Sequence, residues 1–131
     1  MPEFGKKSLE RIKGLHPDLQ AILNQAINIT DFTVLEGYRP KEVQDEYYRN
    51  GLSKLKWPES KHNKNPALAV DIAPYPVDWR DKARFHFLAG VIKAIAHKHG
   101  RKIRWGGDWD SDGDCKDQTF DDLPHFELME V

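Results

Sequence analysis

Residues 60–76, SKHNKNPALAVDIAPYP, carry a strand pattern with an aspartate inside it. Leu68, Val70 and Ile72 alternate with small or acidic residues, which is the period-2 pattern of a short strand. Asp71 therefore lies among small side chains on one face of the predicted strand. It needs a cation or strong hydrogen-bond donors there, because burying a carboxylate alone is costly. His62, near the start of the stretch, is a candidate partner.

The chain of 131 residues has the length of one ordinary domain, which is predicted to span residues 1–131. The 20 basic and 21 acidic side chains give a formal net charge of −1, so no global field favours nucleic acid or a membrane surface. A single cysteine excludes an intramolecular disulfide. The N-terminus lacks the apolar run of a signal peptide, and no stretch approaches the ~18 apolar residues of a membrane span. We expect a monomer.

The apolar periodicity predicts a mixture of helices and strands that do not alternate regularly. This irregular order favours an α+β fold with a small, mainly antiparallel sheet packed against helices. In the long helix, the residues predicted to face inward are Ala83, Phe87, Val91 and Ile95. The predicted elements are a helix from Pro17, a strand over Phe32–Gly37, a helix from Pro40, a loop over 52–67, a strand around Asp71, a helix from an N-cap at Asp78 to Gly100, a strand over Lys102–Trp105, an irregular loop over 106–124 and a strand over His125–Met129.

Two of the six histidines lie at the start of a predicted strand and also have an acidic residue near them in sequence. His62 precedes the strand of Asp71, and His125 lies between Asp122 and Glu127. Two imidazoles and one carboxylate form a catalytic zinc set that leaves a fourth position for water. The spacing alone leaves the alternative open that both histidines are structural.

Short motifs along nearly the whole chain resemble one peptidase family. The stretches that resemble motifs of the M15 metallopeptidases are SKH at 60–62, VDIAP at 70–74 and DLPHFEL at 122–128. Those that resemble its phage L-alanyl-D-glutamate endopeptidase branch are FGKKSLERIKGLHPDLQ at 4–20, GYR at 37–39 and RWGGDWD at 104–110. The resemblance implies a Hedgehog/DD-peptidase-like fold and a zinc ion held by His62, Asp71 and His125. One departure is the spacing between His62 and Asp71, which is longer than the family commonly has.

The resemblance implies roles for Asp122 and Arg39, and the residue types suggest roles for Glu127 and Ser60. Asp122 takes the position of the general acid/base, with Asp121 as the alternative because adjacent residues of an extended segment point opposite ways. Arg39 takes the position of the arginine that steadies the oxyanion or a substrate carboxylate, although an ordinary salt bridge is the alternative. Glu127 is predicted to orient a zinc-binding histidine. Ser60 is predicted to contact the substrate backbone or to cap the loop.

The loop DWDSDGDCKDQTFDD at 108–122 is a candidate calcium site. Its first half matches the D-x-D-x-D-G pattern of an EF-hand loop, but Thr119 stands where the bidentate glutamate is required. The predicted ligands are Asp108, Asp110, Asp112 and Asp114. A solvated acidic loop is the alternative. Phage relatives with a similar loop imply regulation by calcium.

The function predicted from these observations is that of an endolysin, a zinc-dependent peptidoglycan peptidase. It is expected to hydrolyse the L-Ala–D-Glu bond of the stem peptide without a separate cell-wall-binding domain. A D-Ala-D-Ala carboxypeptidase on the same scaffold and a non-catalytic calcium- or wall-binding module are the alternatives. The enzyme is expected to be made in a bacterial cytoplasm and to reach the wall after release, with holin-type assistance.

Overall fold

The computed structural model describes residues 2–116 and 121–129 as four α-helices and a four-stranded sheet. This confirms the predicted α+β class. The sheet order is β1-β2-β4-β3, and each neighbouring pair is antiparallel. Thr119 lies outside the described residues. The elements are α1 (Lys6–Ile12), α2 (Pro17–Ala26), β1 (Phe32–Glu36), α3 (Lys41–Arg49), a 3₁₀ turn (Lys61–Asn63), β2 (Ala69–Pro74), α4 (Lys82–Lys98), β3 (Lys102–Gly106) and β4 (Asp122–Met129).

The hydrophobic core lies on one face of the sheet, where α2 and α4 pack. Strand alternation sends Val70 and Ile72 to this face and leaves Asp71 on the other. The other face carries the polar residues of the central strands. The largest buried core side chains are Phe32, Phe126, Leu15, Leu19, Ile22, Leu23, Ile72, Leu88, Ile92 and Leu128.

The predicted inward stripe of α4 is wrong in part. Ile95 is buried, but Phe87 is 60% exposed and Ala83 is also exposed. On a helix of 3.6 residues per turn, residues four positions apart are rotated about the helix axis by about 40°. Three such steps separate Ala83 from Ile95, so these two residues cannot share a face. The helix also begins at Lys82, with Asp81 as its N-cap, rather than after Asp78. The residues that α4 buries are Phe85, Leu88, Ala89, Ile92, Ile95 and Ala96.

Two other elements differ from the prediction. The helix α1 was not predicted, and it covers the outer edge of β1: Ser8 Oγ accepts the Val34 N–H at 3.0 Å, and Arg11 Nη1 donates to the Val34 carbonyl at 2.9 Å.

The strand β4 begins at Asp122 rather than His125. Pro124 indicates a loop in the sequence, but it lies where the pairing of β3 and β4 shifts register.

No helix within residues 2–116 and 121–129 has the length and apolar character needed to cross a membrane.

Candidate metal centre

His62, Asp71 and His125 converge on the polar face of the sheet. Asp71 and His125 are direct cross-strand partners on β2 and β4, while the 3₁₀ turn supplies His62. Asp71 Oδ1 lies 3.2 Å from His125 Nδ1 and 3.4 Å from His62 Nε2. The three ligand atoms all lie within 4.8 Å of one another. The structure thus brings together the three residues predicted as metal ligands.

Local hydrogen bonds hold the turn that presents His62. Ser60 caps the turn by accepting the His62 N–H, and the Asn63 side chain accepts the Ser60 N–H in return. The longer spacing before Asp71 is accommodated by residues 64–66, which are exposed between the turn and β2. Ser60 itself is buried. This geometry favours the capping role among the two predicted for Ser60.

The hydrogen bonds of the two rings determine which nitrogens point at Asp71. His62 Nδ1 lies 2.8 Å from the Gly37 carbonyl, and His125 Nε2 lies 2.9 Å from Glu127 Oε1. A carbonyl or a carboxylate can only accept, so these nitrogens carry the protons. The opposite nitrogens, His62 Nε2 and His125 Nδ1, therefore point toward the carboxylate of Asp71, where each can offer a lone pair to a metal ion once it carries no proton. Partners of this kind on the outer nitrogen are typical of metal-binding histidines.

A carboxylate that faces two imidazoles requires a positive charge beside it, either a proton on His125 or a metal ion. Burial opposes ionisation of Asp71, but the imidazoles of His125 and His62 outweigh it and hold the pKa of this carboxyl well below its usual range. Burial disfavours the charged form of His125, yet its hydrogen bonds to Asp71 and Glu127 raise its pKa to about 9. His62 Nε2 is buried without a hydrogen-bond partner in the described part of the chain. This unsatisfied atom and the donor set fit a metal ion bound by two imidazoles and a carboxylate.

Glu127 binds His125 through the ring nitrogen that faces away from Asp71. Its Oε2 lies 2.9 Å from Arg104 Nη2 and 3.3 Å from Lys61 Nζ, so two cations hold the carboxylate while Oε1 accepts from His125. Burial alone would raise the pKa of Glu127, but the hydrogen bond to His125 and the nearby cations lower it to about 2. Sequence reasoning did not find Lys61 and Arg104, whose relation to Glu127 depends on the register of the sheet.

Asp122 lies beside the metal-binding group at the start of β4. Burial and, after it, the negative charge of Asp71 raise the pKa of Asp122 above its usual value. Asp121 is exposed, whereas Asp122 is partly buried. Gly106 pairs with Asp122, and a Cβ at that glycine would lie 2.0 Å from the Asp122 carbonyl oxygen. The close approach of these two backbones therefore requires glycine and fixes the position of Asp122.

Arg39 is buried next to the metal-binding group, and its side chain is held by several contacts. Its guanidinium binds Glu36 through Nε and Nη2 and Gln44 through Nη1, and it lies 4.5 Å from the centre of the Tyr47 ring. These contacts use three of its five N–H donors within the described residues. The salt bridge weighed as an alternative for Arg39 is present, and its other two N–H groups donate to no acceptor among the described residues.

The acidic loop forms a second group of carboxylates. Oxygens of Asp108, Asp110 and Asp112 lie within 4.8 Å of one another, and Asp114 is not part of this group. Asp108 is buried; its Oδ2 accepts the Gly113 N–H, while its Oδ1 has no hydrogen-bond partner in the described residues. Asp110 and Asp112 are exposed, and each accepts a backbone N–H two residues further on.

Trp109 connects this loop to the metal-binding group. Its ring centre lies 5.8 Å from that of His125, and the guanidinium of Arg104 lies 5.4 Å from the same indole. Sequence reasoning assigned no role to Trp109 because only the folded loop places it beside His125.

A His–Asp–His group backed by a buried carboxylate, with a second carboxylate of raised pKa beside it, is the arrangement of a metal-dependent hydrolase. The family described as Phage L-alanyl-D-glutamate peptidase matches residues 2–129. The chain is 33% identical over 137 aligned positions to the L-alanyl-D-glutamate peptidase of Escherichia phage T5, covering 97% of this chain and 98% of that protein. The crystal structure of the Serratia marcescens L-Ala D-Glu endopeptidase ChiX superposes with a TM-score of 0.77 at 29% identity, covering 96% of this chain and 90% of that one. The chain belongs to the phage L-alanyl-D-glutamate peptidase family, which confirms the resemblance found in its motifs.

Proposed function

We propose that this protein is a zinc-dependent peptidoglycan peptidase that hydrolyses the L-Ala–D-Glu bond of the stem peptide. The observation that carries the proposal is the convergence of His62 Nε2, Asp71 Oδ1 and His125 Nδ1 in one group. The names of both relatives specify the L-Ala–D-Glu bond. The substrate is therefore the bacterial wall, and the enzyme acts there as an endolysin after its release from the cytoplasm.

The chemistry needs a hydrolytic water and a proton carrier. His62, Asp71 and His125 would hold the zinc ion, which when bound would supply a Lewis acid that activates water and polarises a carbonyl. Asp122 accepts a proton from the attacking water and returns it to the leaving amine of D-Glu. Its raised pKa suits this exchange, because a carboxylate of higher pKa is a stronger base.

Arg39 supplies fixed positive charge beside the metal-binding group, since its backbone N–H donates to the His62 carbonyl at 2.8 Å. Glu36 and Gln44 hold the guanidinium from behind, so it does not reorganise as charge develops on the scissile carbonyl or on a carboxylate of the stem peptide. Fixed donors of this kind stabilise a developing oxyanion more than mobile ones.

Analysis of digested muropeptides by mass spectrometry tests the reaction and its bond. The zinc-loaded protein should produce fragments with a new N-terminal D-Glu, chelation should abolish them, and added zinc should restore them. Release of terminal D-Ala would instead identify a D-Ala-D-Ala carboxypeptidase. Full activity in exhaustively zinc-depleted protein would contradict the metallopeptidase assignment.

Calcium binding by Asp108, Asp110 and Asp112 is proposed as the regulation of this site, with Asp114 as a further ligand predicted from the sequence. The buried Asp108 Oδ1 supports the proposal, since it lacks a hydrogen-bond partner in the described residues while two more carboxylates lie beside it. Calcium prefers such oxygen ligands and would remove the repulsion among them. An ordered loop would in turn hold Trp109 against His125.

A calcium titration at fixed zinc and ionic strength measures this regulation. Muropeptide cleavage should rise several-fold with millimolar calcium, and Asp110→Ala combined with Asp112→Ala should remove the response. A flat titration, or a rise in activity that magnesium reproduces and that the double variant retains, would leave the loop as a solvated acidic segment.

A further inference from the structure

A fully buried glutamine lies between Arg39 and the turn that presents His62. This residue, Gln44 of α3, is 0% exposed. Glutamine is seldom buried, because its amide has two donors and two acceptors that lose their bonds to water inside a protein. The partners of the Gln44 amide therefore show what this side chain holds in place.

The amide oxygen of Gln44 joins two parts of the site. Oε1 accepts from Arg39 Nη1 at 2.9 Å and from Asn63 Nδ2 at 3.1 Å. Arg39 is the cation proposed above to stabilise developing negative charge, and Asn63 belongs to the 3₁₀ turn that carries His62. Because an amide oxygen has two lone pairs, these two donors use its whole capacity. One oxygen atom thus fixes the guanidinium relative to the metal-binding turn.

The amide nitrogen of Gln44 fixes the orientation of that oxygen. Nε2 donates to the Leu55 carbonyl at 2.6 Å and to Ser53 Oγ at 3.0 Å. Turning the amide by half a rotation would set its N–H groups against the donors of Arg39 and Asn63, and its oxygen against the Leu55 carbonyl. The amide therefore has one orientation, with its oxygen toward Arg39.

The backbone of Arg39 is bound to the same turn. Its N–H donates to the His62 carbonyl at 2.8 Å, and Asn63 Nδ2 also donates to the Arg39 carbonyl at 3.0 Å. These bonds place the Cα atom of Arg39, but a long side chain can still adopt other rotamers. Glu36 binds Nε and Nη2 of the guanidinium, whereas Gln44 binds Nη1. Gln44 consequently directs the end of the guanidinium that Glu36 does not bind.

We propose that Gln44 is a positioning residue of the peptidase, whose amide aligns Arg39 with the metal centre so that the guanidinium faces the charge developing on the substrate. This inference rests on the function proposed above. Glutamine suits the position because glutamate has the length but no N–H donor, while asparagine has the amide on a shorter stem. Misplacing a group by about 1 Å can cost about 10²-fold in rate. Loss of the Gln44 amide should therefore slow turnover although the side chain is fully buried.

The test measures kcat, KM and the zinc dissociation constant of Gln44→Met in the full chain, with a soluble muropeptide as substrate. Methionine has a similar length but no amide. The kcat of the zinc-loaded variant should fall about 10- to 100-fold, while KM and the zinc dissociation constant stay within about threefold of wild type. Gln44→Glu keeps an acceptor for Arg39 and Asn63, so its kcat should stay within about tenfold of wild type.

Gln20→Met is the matched control. The Gln20 amide donates to the Leu15 carbonyl at 2.9 Å, and its helix α2 packs on the core face of the sheet. The same substitution there also removes a hydrogen bond to a backbone carbonyl, but it should leave kcat within about twofold of wild type because the two sites are independent.

A double-mutant cycle shows whether Gln44 acts through Arg39. In an Arg39→Met background, Gln44→Met should lower kcat by less than about twofold, because the guanidinium that it orients is absent. The same fractional loss in both backgrounds would indicate a structural role and overturn the proposal. Equal losses of kcat in Gln44→Met and Gln20→Met would also overturn it. If Gln44→Met does not fold, Gln44→Glu decides: a folded variant as slow as Arg39→Met contradicts the proposal.

The wild type separates this proposal from the function on which it rests. If the zinc-loaded wild type does not cleave the L-Ala–D-Glu bond, both the peptidase function and the role of Gln44 are wrong. Cleavage by the wild type with additive losses in the cycle would overturn the role of Gln44 alone.

Discussion

Replacing Glu127 by alanine should weaken zinc binding although Glu127 is not one of the three residues proposed to hold the metal. Glu127 is 6% exposed, and its Oε1 accepts from His125 Nε2 at 2.9 Å. Without this acceptor, the ring of His125 is free to rotate and no longer holds Nδ1 toward Asp71. Loss of such a partner typically weakens metal affinity 10–100-fold, or about 1.4–2.7 kcal/mol.

The other contacts of Glu127 contribute less to the expected effect. The side chains of Arg104 and Lys61 are 39% and 31% exposed, so water can solvate both cations once the carboxylate is gone. Losing salt bridges to partners as exposed as these costs about 1 kcal/mol or less each. We therefore expect Glu127→Ala to fold, with its main defect at His125.

Competition with a chromogenic zinc chelator at neutral pH measures the dissociation constant. Asp122→Ala is the control, because Asp122 is not among the three residues of the metal group and its loss should leave the constant within about threefold of wild type. Glu127→Gln keeps an oxygen acceptor and should lie between alanine and the wild type. A Glu127→Ala constant equal to that of the wild type would refute the argument that this carboxylate orients His125.

Three further predictions concern turnover and stability. Asp122→Ala should retain zinc but lose about 10²-fold or more in kcat, the scale of general acid/base catalysis, measured on muropeptides. Gly106→Ala should lower both Tm and kcat because its Cβ meets the Asp122 backbone. Gly90→Ala in α4 is the control: nothing lies within 4 Å of its Cβ, and it should stabilise the protein by about 0.5–1 kcal/mol. Equal Tm values for the two variants would contradict this prediction. Ser8→Ala should destabilise by about 1–3 kcal/mol in denaturant titrations, since the buried N–H of Val34 loses its acceptor, and an unchanged midpoint would show that water replaces it.

Local patterns in the sequence predicted the features that depend on neighbouring residues. The alternation around Asp71 predicted a strand with a carboxylate on its polar face, and β2 has that form. The helix α1 gave no comparable signal because it is seven residues long and buries only Ser8 and Ile12. Its contacts with the edge of β1 are long-range, and no periodicity within residues 6–12 reports them.

By itself the sequence determined the family, the fold class and the identity of the three metal-binding candidates, because these follow from motifs and short-range alternation. Only the tertiary structure decided the surroundings of His125. The register of β3 against β4 sets Arg104 opposite Glu127, and the folded acidic loop brings Trp109 against the His125 ring. These contacts join residues that are distant in sequence, and their geometry depends on strand pairing and chain reversal. A pattern along one segment records which side chains share a face but not which distant side chains meet them.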